Sequence, residues 1–335
     1  MSDDLLSRFD VLLVDLDGTL YTGPVAVPGA VEAIRGAAER GVRVSYVTNN
    51  ASRSPSEVAG HLSELGFPAT TDEVRTSSQA GAAMLAAQLP AGASVLVLGT
   101  DALAEEVETR GLTAVRSAEG AVGVVQGHSP DTGWRQLAEA TLAIRAGALW
   151  VATNVDPTLP TDRGPMPGNG SMVGVVRIAS GVEPQVAGKP APTLLREALA
   201  ASGVERGLVV GDRLDTDIEG GNAAGLPTLL VLTGVSTARE VLEAPERLRP
   251  TYLAADLACL TSPADELEPG SRDGWQVTAC AAGSGGGLTL SGDGPDHLGA
   301  LRALCAAHWA AGGGAASVDA DGDAAHAALE SLGLG

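Results

Sequence analysis

Short apolar runs alternate with Ala- and Leu-rich stretches from the start of the chain to about Leu257. The runs Val11–Val14, Val42–Val47, Gly207–Val210 and Thr228–Leu232 have the length of strands, and each precedes a polar or glycine-containing turn and a helical pattern. Apolar runs of this kind are typical of parallel strands that are buried on both faces. The pattern predicts an α/β protein with a doubly wound parallel sheet, which binds its ligands at the carboxyl ends of the strands.

A second set of α/β signals lies between Thr76 and Lys189. Strands are predicted at Ser94–Leu98, Ala121–Gln126 and Leu149–Thr153, with helical patterns between them. Because these signals interrupt the first series, we expect an inserted α/β domain.

A third, smaller α/β unit is predicted after Ser262–Arg272, a segment rich in Pro, Asp, Glu and Ser that has the composition of a linker. Its predicted elements are a hairpin of Trp275–Ala281 and Leu288–Leu290 across Gly283–Gly287, helices at His297–Ala311 and Ala324–Leu332, and a short strand between these helices. The whole division is then core 1–80, insertion 81–181, core 182–261, linker 262–272 and C-terminal unit 273–335. We expect the C-terminal unit to be dispensable for chemistry.

The charge balance restricts the class of partner. The chain has 21 Lys and Arg against 41 Asp and Glu, a formal net charge of −20. Nucleic acids and anionic membrane surfaces require a basic face, so neither is an expected partner. The three cysteines form no CxxC pair, and the first apolar run is too short for a signal sequence or a membrane span. These features favour a cytoplasmic protein that acts on a small molecule.

The first motif whose side chains could take part in catalysis is Asp15-Leu16-Asp17-Gly18-Thr19, at the end of an apolar strand. Residues two apart in an extended segment point the same way, so the carboxylates of Asp15 and Asp17 converge and require a cation. Gly18 allows the backbone to turn and to present its N–H to an anion. An acidic turn after a strand, without any chemistry, is the alternative interpretation of this motif alone.

Two further segments offer groups that bind phosphate. Thr48, Asn49 and Asn50 end the next strand, where a hydroxyl, side-chain amides and backbone N–H groups can contact phosphate oxygens. Lys189 precedes a predicted helix and could serve as a counter-charge. Taken singly, such a turn is usually structural and such a lysine is usually exposed.

A fourth segment adds carboxylates at another strand end, since Asp212 and Asp217 follow the apolar run that ends at Val210. Alone, these acids could simply favour the start of a helix. The four segments together, in this order and each at a strand end, resemble the haloacid dehalogenase (HAD) superfamily of phosphatases. The resemblance covers about residues 9–260 and implies a Rossmann-like HAD core with an inserted α/β cap, to which the sequence pattern adds the small C-terminal α/β unit.

The resemblance also implies roles for these residues. Asp15 would attack phosphorus, and Asp17 would protonate the leaving oxygen and then activate water. Thr48 and Lys189 match the phosphate-binding positions, with Asn49 and Asn50 beside them. A Mg²⁺ ion would be bound by Asp15, the backbone carbonyl of Asp17, and Asp212, and Asp217 would help through a water or from behind the direct ligands. Such an oxygen-only site suits Mg²⁺.

The position of the insertion is similar to the larger α/β cap of the nitrophenyl-phosphatase, nucleotidase and phosphoglycolate-phosphatase branch. Asn154, Asp156, Leu159 and Asn169 lie in segments that resemble the substrate-facing parts of this cap and are candidates for substrate specificity. Leu159 stands where pyridoxal-phosphate phosphatases have a histidine, which disfavours aromatic cofactor phosphates. Homo-oligomerisation through the cap is compatible with the sequence.

The stretch from Trp150 to Met172 and the C-terminal unit resemble actinobacterial glycerol-3-phosphate phosphatases, and the C-terminal unit also resembles a truncated acetyltransferase-like fold. We therefore expect a Mg²⁺-dependent phosphomonoesterase that acts on glycerol 3-phosphate. Phosphoglycolate or a range of sugar phosphates is the alternative substrate. A phosphate-binding regulatory protein without turnover and a phosphomutase are alternatives of other classes.

Overall fold

The computed structural model of the 335-residue chain describes residues 4–159, 161, 163–279 and 287–335. The Cα positions divide the chain into two compact units. Unit 1 comprises Met1–Ser45 and Ser202–Gly335, and unit 2 comprises Tyr46–Ala201. This division differs from the expected insertion at 81–181, which forms only part of unit 2.

The strands in chain order are β1 (Val11–Val14), β2 (Tyr21–Thr22), β3 (Val25–Ala26), β4 (Arg43–Thr48), β5 (Val74–Thr76), β6 (Ser94–Leu98), β7 (Thr113–Val115), β8 (Gly123–Gln126), β9 (Leu149–Ala152), β10 (Thr158–Leu159), β11 (Met166–Pro167), β12 (Gln185–Val186), β13 (Gly207–Gly211), β14 (Thr228–Val231), β15 (Tyr252–Ala254), β16 (Trp275–Ala279), β17 (Gly287–Gly292) and β18 (Ser317–Asp321). The α-helices are α1 (Ala30–Glu39), α2 (Pro55–Glu64), α3 (Ser77–Ala86), α4 (Asp101–Thr109), α5 (Trp134–Arg145), α6 (Asn169–Ser180), α7 (Thr193–Ser202), α8 (Glu219–Ala224), α9 (Ala238–Leu242), α10 (Ala264–Leu267), α11 (His297–Ala310) and α12 (Asp323–Ser331).

Unit 1 contains a parallel sheet in which the strands lie in the order β15, β14, β13 and β1. Every residue of these four strands is buried, which explains why they are continuous apolar runs rather than alternating ones. Strands β1 and β13 pair without stagger, Val11 opposite Gly207 and Val14 opposite Val210. The residues that follow these two strands therefore emerge at the same edge of the sheet. The predicted parallel α/β fold is confirmed.

The C-terminal unit predicted from the sequence forms a separate three-stranded sheet within unit 1. Strand β17 pairs antiparallel with β16 and parallel with β18. The expected strand end at Ala281 and most of the Gly283–Gly287 turn lie outside the described residues. Helix α11 packs against α9 of the preceding core, and one hydrophobic cluster takes buried residues from both parts, including Val241 and Leu242 of α9 and Leu301 and Leu304 of α11.

The segment expected to be an unpacked linker, Ser262–Arg272, contains the one-turn helix α10. Ala264 and Leu267 of this helix are buried, with exposed fractions of 0% and 4%. Ala264 and Leu267 are three positions apart, so one turn of helix brings both to the same face and the segment packs despite its polar composition.

Unit 2 is built around a five-stranded parallel sheet in the order β12, β9, β8, β6 and β7. Its hydrophobic core contains Leu96, Val124, Trp150 and Val176, so α6 packs on this sheet. Strand β12 lies beyond the expected end of the insertion at residue 181. In the described part of the chain, no helix is both long and apolar enough to cross a membrane.

Candidate active site

Three carboxylates meet at the carboxyl edge of the sheet in unit 1. Asp15 follows β1, while Asp212 and Asp217 follow β13, and one oxygen of each lies within 4.8 Å of the others. The backbone N–H of Asp15 donates to the carbonyl of Val210 at 2.8 Å, which continues the pairing of the two strands into the site. The structure thus brings together three of the acids that the sequence selects.

The carboxylate of Asp212 is fully buried. Its Oδ2 accepts from the backbone N–H of Val235 at 2.7 Å and its Oδ1 from the hydroxyl of Thr19 at 3.4 Å. Its carbonyl oxygen accepts from the N–H of Ser236 at 3.1 Å. The side chain is therefore fixed from two sides, although a group of acids at this depth still requires a cation.

Asp217 lies in a single π-helical turn, Leu214–Ile218, and has an exposed fraction of 1%. Its Oδ2 accepts from the N–H of Arg213 at 3.1 Å. The guanidinium of Arg213 instead forms two hydrogen bonds with Asp215, at 3.0 and 2.8 Å. The sequence assigned Asp217 an indirect role, yet its carboxylate stands in the same group as those of Asp15 and Asp212.

Asp17 lies outside this group of three and is exposed. The N–H of Gly18 donates to the carbonyl of Tyr21 at 2.8 Å, and the hydroxyl of Thr233 donates to the carbonyl of Gly18 at 2.6 Å. These bonds hold the turn that carries Asp17. An exposed carboxyl group two residues from Asp15 can give and take protons.

The residues that hold Asp212, namely Thr19, Val235 and Ser236, could not be assigned this role from the sequence motifs. A signal for them was nevertheless present, because Thr233 and Gly234 follow an apolar strand, and the carboxyl ends of neighbouring parallel strands share one edge. A side chain at Gly234 would overlap the carboxylate of Asp212.

Unit 2 carries the residues that the sequence assigns to phosphate binding. Lys189 has an exposed fraction of 2%, and its ammonium group donates to the carbonyl of Val47 at 3.2 Å. Thr48 is buried at the end of β4, and its hydroxyl accepts from the N–H of Asn50 at 3.0 Å. The side chain of Asn50 accepts from the N–H of Ser52 at 2.7 Å. Lys189 and Thr48 therefore meet around the end of the same strand.

The candidates for substrate specificity differ in exposure and in hydrogen bonding. Asn154 and Asn169 are buried, with exposed fractions of 5% and 2%. Asn154 donates to the carbonyl of Asn49 at 2.7 Å, and Asn169 donates to the carbonyl of Asn154 at 2.7 Å. Both amides hold the main chain, and their expected role of contacting a substrate stays a prediction. Leu159 is exposed in the short β10–β11 hairpin.

His128 follows strand β8, and its carbonyl oxygen accepts from the hydroxyl of Ser52 at 3.2 Å. Burial lowers the pKa of this histidine from its ordinary value, because the imidazolium form loses solvation. Its neutral form is thereby favoured in the folded protein.

Three family models match the chain. Residues 12–113 match the haloacid dehalogenase-like hydrolase model, and residues 186–260 match a HAD-hydrolase-like model. Residues 272–334 match the GCN5-related N-acetyltransferase like domain. The first two matches contain the β1 and β13 strand ends with their carboxylates.

Several known proteins are similar to this chain in sequence or in structure. D-glycerol 3-phosphate phosphatase of Mycobacterium tuberculosis is 52% identical over 315 residues, which cover 92% of this chain and 88% of that protein. The structure also matches the crystal structure of glycerol phosphate phosphatase from M. tuberculosis in complex with magnesium. The match covers 100% of both chains, with a TM-score of 0.94 and 49% identity. The 5'-nucleotidase YutF of Bacillus subtilis is 40% identical over 242 residues, 72% of this chain and 93% of its own length.

Proposed function

Because the chain belongs to the haloacid dehalogenase-like hydrolases, we propose that it is a magnesium-dependent phosphomonoesterase that hydrolyses glycerol 3-phosphate. The observation that carries this proposal is the group of Asp15, Asp212 and Asp217 at two paired strand ends. Support for the substrate comes from the mycobacterial glycerol 3-phosphate phosphatase, which is 52% identical over 92% of this chain.

The donor set fits magnesium. Mg²⁺ prefers oxygen ligands, and the group offers carboxylates of three residues without a nitrogen or sulfur donor among its members. Asp15, Asp212 and Asp217 would hold the ion together with the backbone carbonyl of Asp17. When bound there, magnesium supplies positive charge that offsets the repulsion between a carboxylate and a phosphate dianion.

The reaction then proceeds through Asp15. Its carboxylate oxygen forms a bond to phosphorus while the bond from phosphorus to the glycerol oxygen breaks. Asp17 gives its proton to that leaving oxygen. Water next attacks the aspartyl phosphate, Asp17 takes a proton from the water, and the products are inorganic phosphate and the original carboxylate. Lys189 and Thr48 bind the oxygens of the phosphoryl group throughout.

Phosphoglycolate is the second candidate substrate. We rank glycerol 3-phosphate first because the mycobacterial glycerol 3-phosphate phosphatase is 52% identical over 92% of this chain. The cytoplasmic location, homo-oligomerisation through the cap and the lack of nucleic acid partners stay predictions.

A comparative assay tests the proposal. Phosphate release is measured in Mg²⁺ for glycerol 3-phosphate, phosphoglycolate, a 5'-nucleotide and p-nitrophenyl phosphate. We expect the highest kcat/KM for glycerol 3-phosphate and no release by Asp15→Asn, which keeps the volume of the side chain but cannot form the acyl phosphate. The matched control is Asp131→Asn at an exposed aspartate of unit 2.

Each contrary result has a separate meaning. A higher kcat/KM for phosphoglycolate would show that the substrate is wrong while the phosphatase activity stands. Transfer of the phosphoryl group to a second substrate molecule, instead of release, would indicate a phosphomutase. The absence of turnover on every ester would contradict the enzyme assignment.

A further inference from the structure

The backbone of Lys189 is held by a single side chain. The Oδ1 atom of Asn49 accepts from the N–H of Lys189 at 2.8 Å, and the Nδ2 atom of Asn49 donates to the carbonyl of Lys189 at 2.9 Å. One amide thus satisfies both polar backbone groups of the residue that we assign to phosphate binding. The sequence assigned Asn49 itself to phosphate, which stays a prediction, and in the structure its side chain binds the backbone of Lys189.

Glycine at position 188 makes this contact possible. The N–H of Gly188 donates to the carbonyl of Thr153 at 2.8 Å. A methyl group at Gly188 would lie 2.5 Å from both Asn49 Oδ1 and the carbonyl oxygen of Thr153. The backbone before Lys189 therefore fits tightly between Asn49 and the end of strand β9.

Asp156 takes the second amide hydrogen of Asn49. Asn49 Nδ2 lies 3.3 Å from Oδ2 and 3.5 Å from Oδ1 of Asp156. Asp156 is itself fixed, because its N–H donates to Asn154 Oδ1 at 3.2 Å and its carbonyl accepts from the N–H of Gly170 at 2.8 Å. A carboxylate accepts hydrogen bonds only, so it favours the amide orientation that presents Oδ1 to the N–H of Lys189.

We propose that Asn49 and Asp156 are positioning residues for Lys189: Asp156 orients the amide of Asn49, and Asn49 fixes the backbone of the lysine. The inference rests on the proposed role of Lys189 in binding the phosphoryl group. It assigns Asp156 to a part of the substrate that all phosphomonoesters share, instead of to the glycerol hydroxyls. The loss of Asp156 should then affect every ester equally.

The experiment compares two esters and one product on the Mg²⁺-loaded enzyme. For wild type, Asn49→Ala, Asp156→Ala and Asp156→Asn, one measures kcat and KM with glycerol 3-phosphate and with p-nitrophenyl phosphate, which has no polyol. The dissociation constant of inorganic phosphate is measured by calorimetry. Asp131→Ala removes an exposed carboxylate from the same unit and serves as the control.

We expect Asp156→Ala to weaken phosphate binding about tenfold and to lower kcat/KM by the same factor for both esters, the size of one charged hydrogen bond. Asn49→Ala should act at least as strongly. Asp156→Asn retains an acceptor for Asn49 and should stay within about threefold of wild type, since a neutral hydrogen bond is only moderately weaker. Asp131→Ala should match wild type.

An Asp156→Ala effect confined to glycerol 3-phosphate, with phosphate affinity unchanged, would overturn the inference, because Asp156 would then contact the polyol. If Asn49→Ala does not fold, the two Asp156 variants decide. The calorimetric measurement needs no turnover. A wild type that binds phosphate but hydrolyses neither ester would therefore contradict the proposed function and still test the positioning, and a wild type that does neither would contradict both.

Discussion

Gly18 faces Asp212 so closely that a methyl group at position 18 would lie 2.5 Å from Asp212 Oδ2. Gly18 also has φ of +89°, a conformation that favours glycine over residues with a side chain. Both the conformation of the turn after Asp15 and the position of the Asp212 carboxylate therefore require a residue without a side chain at position 18.

We expect Gly18→Ala to displace the Asp212 carboxylate and to reduce both Mg²⁺ affinity and kcat/KM by more than about tenfold, since the displaced ligand loses its geometry. Gly23→Ala is the control, because Gly23 also has positive φ, +57°, but nothing lies within 4 Å of its added methyl group. Mg²⁺ titration of activity and melting curves measure the two effects. Equal loss of activity in both variants would mean that backbone strain, and not contact with Asp212, is responsible.

Removal of divalent metal should stop phosphate release and lower the melting temperature, and added Mg²⁺ should restore both. The buried carboxylates of Asp212 and Asp217 then lose the cation that offsets their repulsion. Binding at 100 times the dissociation constant stabilises a protein by about 2.7 kcal/mol. Scanning calorimetry in EDTA and in Mg²⁺ measures this, and Asp212→Asn should show a much smaller difference between the two. An unchanged melting temperature and full activity after stripping would contradict the assigned ligands.

Removal of the C-terminal unit should destabilise the remaining core, even if the unit is dispensable for chemistry as expected. Residues of α9 and α11 share one hydrophobic cluster, and Arg302 in α11 donates to the carbonyl of Leu253 in β15 at 2.9 and 2.7 Å. A chain that ends at Glu266 would expose this cluster to water.

Leu304→Ala tests the same contact without deletion. Leu304 is fully buried in the shared cluster, so its truncation should lower the free energy of unfolding by about 2–5 kcal/mol. Leu142→Ala, at a side chain that is 58% exposed, should change it by less than about 0.5 kcal/mol. Denaturant unfolding measures both. A chain ending at Glu266 with wild-type stability would show that the shared cluster contributes little.

Because burial lowers the pKa of His128, the free energy of unfolding should decrease at acidic pH. Its folded-state pKa lies below the ordinary value of 6.5 because of burial, so the unfolded state binds the proton more readily. The free energy of unfolding therefore falls as the pH drops from about 6.5 towards the lower folded-state pKa. His128→Gln should show a smaller decrease between pH 7.5 and 5.5 than wild type in parallel melting experiments. Identical decreases would assign the acid sensitivity to other groups.

The group of Asp15, Asp212 and Asp217 could be predicted because the sequence feature that marks it, an acid just after an apolar strand, is local. Asp15 and Asp212 each follow an apolar strand, and parallel strands end at a common edge. The roles of Asn154 and Asn169 could not be predicted in the same way. Their partners are backbone carbonyls of Asn49, Asn154 and Gln126, two of which come from distant parts of the chain, and no spacing rule connects them.

The composition of Ser262–Arg272 also did not predict that part of this segment is helical and buried. Its prolines and acids are typical of a linker, yet Ala264 and Leu267 are buried on one turn of helix. The residues that cover Ala264 and Leu267 come from other segments, so the local sequence alone does not show that these two side chains are buried. The strand at Ser94–Leu98, in contrast, has the predicted bounds, because a run of apolar residues between turns is sufficient to define it.

The pairing of Val11–Val14 with β13 has a consequence for biosynthesis. The partner residues begin at Gly207, so a ribosome must add roughly 200 residues after β1 before this pairing can form. At about 5–20 residues per second, the delay is on the order of 10–40 s. During this time the sequence Val-Leu-Leu-Val of β1 lacks its β13 neighbour, whereas the strands of the five-stranded sheet of unit 2 have already been made. The nascent chain thus presents an aggregation-prone apolar segment early, and general chaperones that bind such segments should engage this protein near its amino terminus.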